Sequence, residues 1–201
     1  MLAWALVAIA ALSVLLGAAN PALAQPAASA AAQGSNGPKV RLATTAGDIV
    51  IELDREKAPK TVDNFLHYVK SGHYDGTIFH RVISGFMIQG GGYKADLSEK
   101  PTRAPIALES RKGLSNERGT IAMARTGMPD SATSQFFINV ADNTMLDQPN
   151  ARDGNGYAVF GRVVDGMEVV DKIREVATVA NGPHQNLPAK PITIRKATLE
   201  K

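Results

Sequence analysis

Apolar side chains along this chain recur with two different periods, and the change from one to the other marks its elements. From Lys39, "VRLATT" and "DIVIELD" flank Ala46-Gly47. Ile49, Ile51 and Leu53 fall on one face because strand side chains alternate, which predicts an antiparallel hairpin. Pro59 stands where a first helical turn tolerates proline. Val62, Phe65, Leu66 and Val69 follow at i, i+3, i+4 and i+7, predicting a helix that ends near Gly72. A second such stripe, Met167, Val170, Ile173 and Val176 with Val169 beside it, follows Asp165-Gly166 and predicts a second helix. Between the helices lie short apolar runs at 77–83, 86–89, 120–124, 135–140 and 157–164, and Ile192–Ile194 forms a last one.

Two helices among about eight short strands do not alternate as a parallel α/β chain does. The expected fold is mainly β, a closed eight-stranded antiparallel barrel capped by two α-helices. Residues 93–118, with Pro101, Pro105 and many charges, form the longest polar interval and read as a surface loop whose charges face water. No internal repeat is found.

The first 24 residues carry no charged side chain, and Leu2 to Leu16 is almost unbroken Leu, Ala, Val and Ile. Gly17, Asn20 and Pro21 break the run, and Ala22-Leu23-Ala24 has the small-x-small form that a signal peptidase cuts. The expectation is a signal peptide over 1–24 cut after Ala24, a flexible leader over 25–38 rich in Ala, Gly, Ser and Pro, and one domain over 39–201 in a periplasmic or secreted protein. The alternative is an uncleaved anchor; spanning a bilayer takes about 20 apolar residues, and Pro21 interrupts the run at that point. The Lys or Arg that ordinarily precedes such an apolar core is absent.

With 201 residues and 44% hydrophobic side chains, the chain can bury a real core. A net charge of +3 and 5% aromatics do not make a nucleic-acid platform. "GYAVFGRV" has the aromatic spacing of a base-stacking strand, but no second aromatic strand motif accompanies it. With no cysteine, disulfides, thiolate nucleophiles and Cys-based zinc sites are excluded. His67, His73, His80 and His184 show no metal-like pairing, and His80, inside an apolar strand, reads as a core residue rather than a base. "DGNG" at 153–156 has the look of a calcium loop, yet Val164 stands where its closing Glu is needed. There is no P-loop, and Ser134 lacks a nucleophile elbow. No cofactor or metal is expected.

Three stretches remain unexplained by a core alone: "FHRVISGFMIQGGG" (79–92), "GTIAMARTGMPDSATSQFFINVADNTMLD" (119–147) and "GYAVFGRVVDG" (156–166). In an extended 86–89, Met87 and Gln89 point the same way, and a thioether beside an amide is the makeup of a cleft wall. Arg81 lies upstream across Ser84-Gly85; for a lone arginine the plain reading is a surface salt bridge. Phe137, Met145 and Leu146 line either an apolar hollow or the core, and periodicity does not choose between them.

Together these stretches resemble the signature segments of cyclophilins, the peptidyl-prolyl cis-trans isomerases, most closely the bacterial periplasmic type, over about Val40 to Leu199. The resemblance implies an eight-stranded antiparallel barrel with two helices. It implies Arg81 as the catalytic arginine, and Phe86, Met87, Phe137 and Leu146 as the pocket for the proline ring. Gln89 resembles the glutamine that helps bind substrate and orient the arginine. Ala124 and Gln135 resemble groove residues, and Arg125 falls where the family contacts substrate mainly through its backbone. Ser84 stands where proline is common, Met145 where eukaryotic members have a tryptophan that helps bind cyclosporin, and Tyr157 in place of a histidine beside the pocket.

The resemblance and the N-terminal sequence together lead to the expectation of an isomerase that helps exported proteins fold, a monomer acting on proline-containing unfolded or partly folded polypeptides. No nucleic-acid partner, no stable membrane insertion after cleavage, and weak cyclosporin binding at most are expected. The alternative is a proline-peptide binding module or holdase in which isomerisation is incidental; a pure binder has no need of Arg81. Rotation about an X-Pro bond transfers no proton and makes no bond to the enzyme, so it requires neither acid, base nor metal. It needs a donor aimed at the imide nitrogen as planarity is lost, and the apolar neighbours of Arg81 lead to the expectation of a guanidinium held dry.

Overall fold

Strand pairing begins where the alternation does. The computed structural model describes residues 37–112 and 114–200, so the expectations for residues 1–24 and for most of 25–38 lie outside the described residues. The expected first hairpin is β1 (Lys39–Thr44) and β2 (Asp48–Leu53), paired antiparallel in register Val40 with Ile51 and Leu42 with Ile49. Its second strand is buried on both faces, Val50 and Glu52 as well as Ile49, Ile51 and Leu53. The strands β3 (Thr77–Ile83), β4 (Met87–Lys94), β5 (Thr120–Met123), β6 (Phe136–Asn139) and β7 (Val159–Asp165) come next along the chain.

The strands depart from the apolar runs most at three places. β4 continues through all three glycines at 90–92 instead of stopping before them. A hairpin of β8 (Thr178–Asn181) and β9 (His184–Pro188) was not foreseen, because β8 is exposed along its length and has no apolar alternation to show. The last strand, β10 (Ile194–Leu199), begins where the Ile192–Ile194 run ends; only Ile194 and Ala197 of it are buried, which breaks period two.

The expected barrel is present. Eight strands form one sheet in the order β10-β1-β2-β7-β5-β6-β4-β3, every described ladder antiparallel. Its two edges come together around the start of β10: Ile78 bridges Thr193, the Gly76 N–H donates to the Ile194 carbonyl at 2.8 Å, and the Phe79 N–H donates to the Ile192 carbonyl at 2.9 Å. The barrel is therefore nearly closed, and little strand edge is left to pair with another chain.

The two expected helices are α1 (Pro59–Lys70) and α2 (Met167–Arg174). α1 buries its stripe in the barrel, where the Phe65 ring lies 5.1 Å from Tyr74, 5.6 Å from Phe136 and 5.1 Å from Phe160. α2 buries Val169, Val170 and Ile173 and ends before Val176. The polar interval is more than a solvated face. From within it, Glu109 accepts hydrogen bonds from the Thr61 N–H at 2.9 Å and the Thr61 hydroxyl at 2.8 Å, placing a carboxylate at the positive N-terminus of α1.

Phe65→Ala is expected to cost about 3–5 kcal/mol, the range for emptying a core aromatic site. Urea unfolding checks this; a loss below about 1 kcal/mol would show that the ring cluster is not the centre of the core.

Candidate active site

Alternation along the barrel strands sends successive side chains to opposite faces, and the site is built on the outer one. Ile88, Ile121, Met123, Phe136 and Phe160 belong to the interior core. Their chain neighbours Met87, Ala122, Phe137 and Val159 form a second apolar cluster, joined by Phe86, Ala124, Leu146 and Tyr157. Phe137 is thus a cleft residue and Phe136 the core one. Phe160 also lies fully buried inside, so "GYAVFGRV" presents no pair of exposed rings.

Register then lines up residues distant in sequence. Arg81 on β3 is opposite Gln89 on β4, Gln89 is opposite Phe137 on β6, and Phe137 is opposite Ala122 on β5. Three members of this row, Arg81, Gln89 and Phe137, line a cavity of about 390 Å³. Arg81 and Gln89 stand at one side, and Phe86, Met87, Phe137 and Leu146 supply an apolar wall. Ala124, Arg125 and Tyr157 complete the lining. Two of the residues singled out in the sequence lie elsewhere. Gln135 faces an adjoining hollow on the Arg81 side, and Met145, 57% exposed, lines another of about 590 Å³ beyond Leu146.

Arg81 forms no ion pair among the described residues, contrary to the plain reading for a lone arginine. Its Nη1 donates to Gln89 Oε1 at 3.3 Å, and Gln89 Nε2 donates to Gln135 Oε1 at 3.0 Å. A neutral amide therefore holds the guanidinium without neutralising it. The expectation of a dry donor needs correction: Arg81 is exposed in the free protein, because it stands at the cavity rim rather than beneath the apolar wall. Water can be excluded from it only by a ligand covering it.

The glycines of β4 make room for this arrangement. Gly91 has φ +88°, a backbone that side chains disfavour, and it packs under the Phe136 and Tyr74 rings. A Cβ on Gly92 would stand 2.6 Å from Gln135 Cγ, so the amide chain behind Arg81 depends on the missing side chain.

Two further supports were invisible in the sequence, where no pattern joins their parts. A buried amide network fixes the apolar wall from behind. Asn143 Nδ2 donates to the Phe86 carbonyl and to Asn139 Oδ1, both at 2.8 Å, and Asn139 Nδ2 donates to Thr120 Oγ1 at 2.9 Å. Asp147, next to Leu146, accepts from the Asn116 N–H at 2.7 Å. On the opposite wall the Arg125 side chain is only 2% exposed. Its Nε donates to the Gly156 carbonyl at 2.9 Å, it pairs with Asp153, and its guanidinium carbon sits 4.5 Å from the centre of the Tyr157 ring. Tyr157 in turn meets Phe137 edge-on at 5.7 Å. Asp153 is held down to about 2 by the Asn155 backbone N–H and then by Arg125. At the break between β3 and β4, the Ser84 hydroxyl donates to Glu175 at 3.2 Å, occupying the place the resemblance gives to proline.

His80, adjacent to Arg81, is buried as the sequence led one to expect. Burial above all, with His184 and Arg81 adding to it, lowers it from 6.5 to about 4, so it is uncharged at neutral pH. Among the described residues no group of three or more His, Asp or Glu side chains could hold a metal ion.

Comparison with known proteins gives the family. The family described as "Cyclophilin type peptidyl-prolyl cis-trans isomerase/CLD" matches residues 39–199. The chain belongs to that family and is a peptidyl-prolyl cis-trans isomerase. It is 59% identical over 162 residues to peptidyl-prolyl cis-trans isomerase A of Dickeya dadantii, covering 81% of this chain and 84% of the relative. To peptidyl-prolyl cis-trans isomerase B of Escherichia coli it is 54% identical over 157 residues, covering 78% and 96%. Among solved structures, the cyclophilin-type isomerase of Cryptosporidium parvum in the presence of the dipeptide Ala-Pro superposes with TM-score 0.66 at 29% identity, covering 81% of this chain and 99% of that one.

The geometry leads to two measurable outcomes. Gly92→Ala should leave the fold intact but lower isomerase kcat/KM roughly three- to tenfold, the worth of one hydrogen bond in the amide chain; an unchanged value in a protease-coupled assay would mean that the Gln135 amide does not matter. For His80, the unfolded chain takes up a proton near 6.5 while the folded one resists until about 4. The unfolded state therefore binds more protons in that window, and stability is lost as pH falls through it, by roughly 3 kcal/mol at most. Urea unfolding of His80→Gln beside the parent protein should show the parent losing more stability between pH 6.5 and pH 4; parallel losses would rule His80 out.

Proposed function

We propose that Arg81 is the catalytic group, donating to the imide nitrogen of an X-Pro bond as the amide twists, while the apolar wall fixes the proline ring. The observation that carries this reading is the unpaired guanidinium held by Gln89 at the rim of an apolar cavity. The chemistry asks little more. The planar amide resists rotation by about 18–20 kcal/mol because twisting breaks its resonance, and the uncatalysed change takes on the order of tens to hundreds of seconds. A turnover of about 10 per second needs an acceleration near 10³, roughly 4 kcal/mol of selective stabilisation. The twisted nitrogen regains its lone pair and accepts a hydrogen bond that the planar nitrogen cannot, so the donor acts on the transition state alone. One preorganised donor is worth about 2.7–4 kcal/mol in comparable sites, which nearly meets the demand.

Phe86, Met87, Phe137 and Leu146 then hold the ring, with Tyr157 fixing one side of the hollow. Gln89 orients Arg81 and meets the substrate. Ala124, Gln135 and the Arg125 backbone line the path of the peptide, and Met145 borders it. Because Arg81 is exposed in the free protein, the bound peptide itself expels the water and strengthens the hydrogen bond at the moment of use.

The biological setting is read from the N-terminal sequence: a signal peptide over 1–24 cut after Ala24, a leader over 25–38, and an isomerase domain over 39–201 acting outside the cytoplasm. The substrates are proline-containing chains still folding after export, and the protein acts as a monomer. Met145 in place of a tryptophan supports weak cyclosporin binding.

Arg81→Ala is expected to keep the fold and most peptide affinity while losing roughly 100-fold or more of kcat in a chymotrypsin-coupled Ala-Pro assay. Retained turnover would reject the donor role. With an uncharged peptide, kcat should be nearly flat from pH 6 to 9, because His80 stays neutral there and no proton is transferred; a bell-shaped profile would point to acid-base chemistry instead.

A further inference from the structure

A second hollow, of about 560 Å³, opens beside the proline cavity and shares Arg81 and Gln89 with it. The unforeseen β8–β9 hairpin forms its far wall, with Pro183 in the turn and His184, Gln185 and Asn186 at the start of β9. His184 thereby meets His80 and Tyr93 of the barrel. The rings of His80 and Tyr93 lie 4.7 Å apart, those of Tyr93 and His184 5.0 Å, and those of His80 and His184 6.0 Å, all edge to face. A packed trio of rings gives this hollow a firm floor.

Its formal charge is one-sided. The side chains around it are three rings, four amides, a proline and Arg81, with no carboxylate among them. Rings and amides of this kind can all donate hydrogen bonds, and the one fixed formal charge is positive. The neutral state of His80 keeps the floor from adding a buried charge. An ammonium entering here would find one like charge and no ionic acceptor, whereas a carboxylate would find several donors and Arg81 within the same wall.

We propose that this hollow is a second subsite of the isomerase, receiving the side chain of a residue next to the substrate proline and favouring Asp or Glu over Lys or Arg there. The occupant is fixed by continuity: a chain whose proline fills the first cavity must pass the shared Arg81 and Gln89 wall on one side, and its adjacent side chain is the group within reach. The proposal rests on the proline cavity being the substrate site, and it assigns to the hairpin a part in substrate choice.

Peptide affinity measures this apart from catalysis. Two series of Ala-rich peptides with one central proline, carrying Glu, Gln or Lys either just before or just after it, are titrated calorimetrically into the full domain at low and high salt. At one of the two positions Glu should bind about fivefold or more tighter than Lys, with Gln between, and the gap should narrow in high salt, as a partly exposed charge contact does. His184→Glu should reverse the order at that position, and Gln185→Glu should shrink or reverse it. Equal affinities at both positions, or a preference unaltered by both variants, would overturn the subsite. Because the readout is binding, loss of turnover in Arg81→Ala tests the catalytic donor and leaves this result standing or falling by itself.

Discussion

The hydrogen bond from Arg81 to Gln89 joins a full positive charge to a neutral acceptor, and the rest of the site depends on that pairing. A carboxylate in the place of Gln89 would orient the guanidinium just as well, but it would cancel the field that a developing lone pair must feel. An amide gives direction without cancellation. Gln135 holds Gln89 in turn, and the bare backbone of Gly92 leaves room for Gln135. The orientation of one charge thus reaches back through two amides to the absence of one Cβ.

The barrel makes this possible by separating two tasks that often compete. Its interior takes the large rings, Phe65, Phe79, Phe136 and Phe160, and supplies stability. Its outer face carries the row Arg81, Gln89, Phe137, Ala122 across four neighbouring strands, where side chains stand close because strands lie about 4.8 Å apart. Since each outer residue is flanked in sequence by an inner one, packing of the core fixes the spacing of the site. The buried amides Asn116, Asn139 and Asn143 and the clamp of Arg125 on Tyr157 then hold the loops that finish the cavity. Polar groups buried in this way are stable only when mutually satisfied, so they set the loops in one arrangement.

How much of this is readable in the chain varies with the kind of information. The α1 stripe of Val62, Phe65, Leu66 and Val69 announces itself, since helical period alone produces it. The β8–β9 hairpin does not, because its exposed strand carries no alternation, and with it the meeting of His184 and His80 stays hidden. Periodicity places Met87 and Gln89 on one face but leaves Phe137 undecided between core and cleft; only strand register, which no local pattern encodes, puts it beside Gln89. The grouping of Arg81 with Gln89 and the apolar wall came through family resemblance. The exposure of Arg81 did not come at all, because Phe79 and Val82 beside it on the strand belong to the interior core.

The most direct measurement is a crystal structure of the domain with a bound Ala-Pro peptide, together with turnover of the same protein in solution. The ring should lie against Phe86, Met87, Phe137 and Leu146, with an Arg81 N–H aimed at the imide nitrogen from about 3 Å. A guanidinium swung out to solvent or locked onto a carboxylate, in a protein that still turns over, would contradict the idea that one oriented charge does the catalysis.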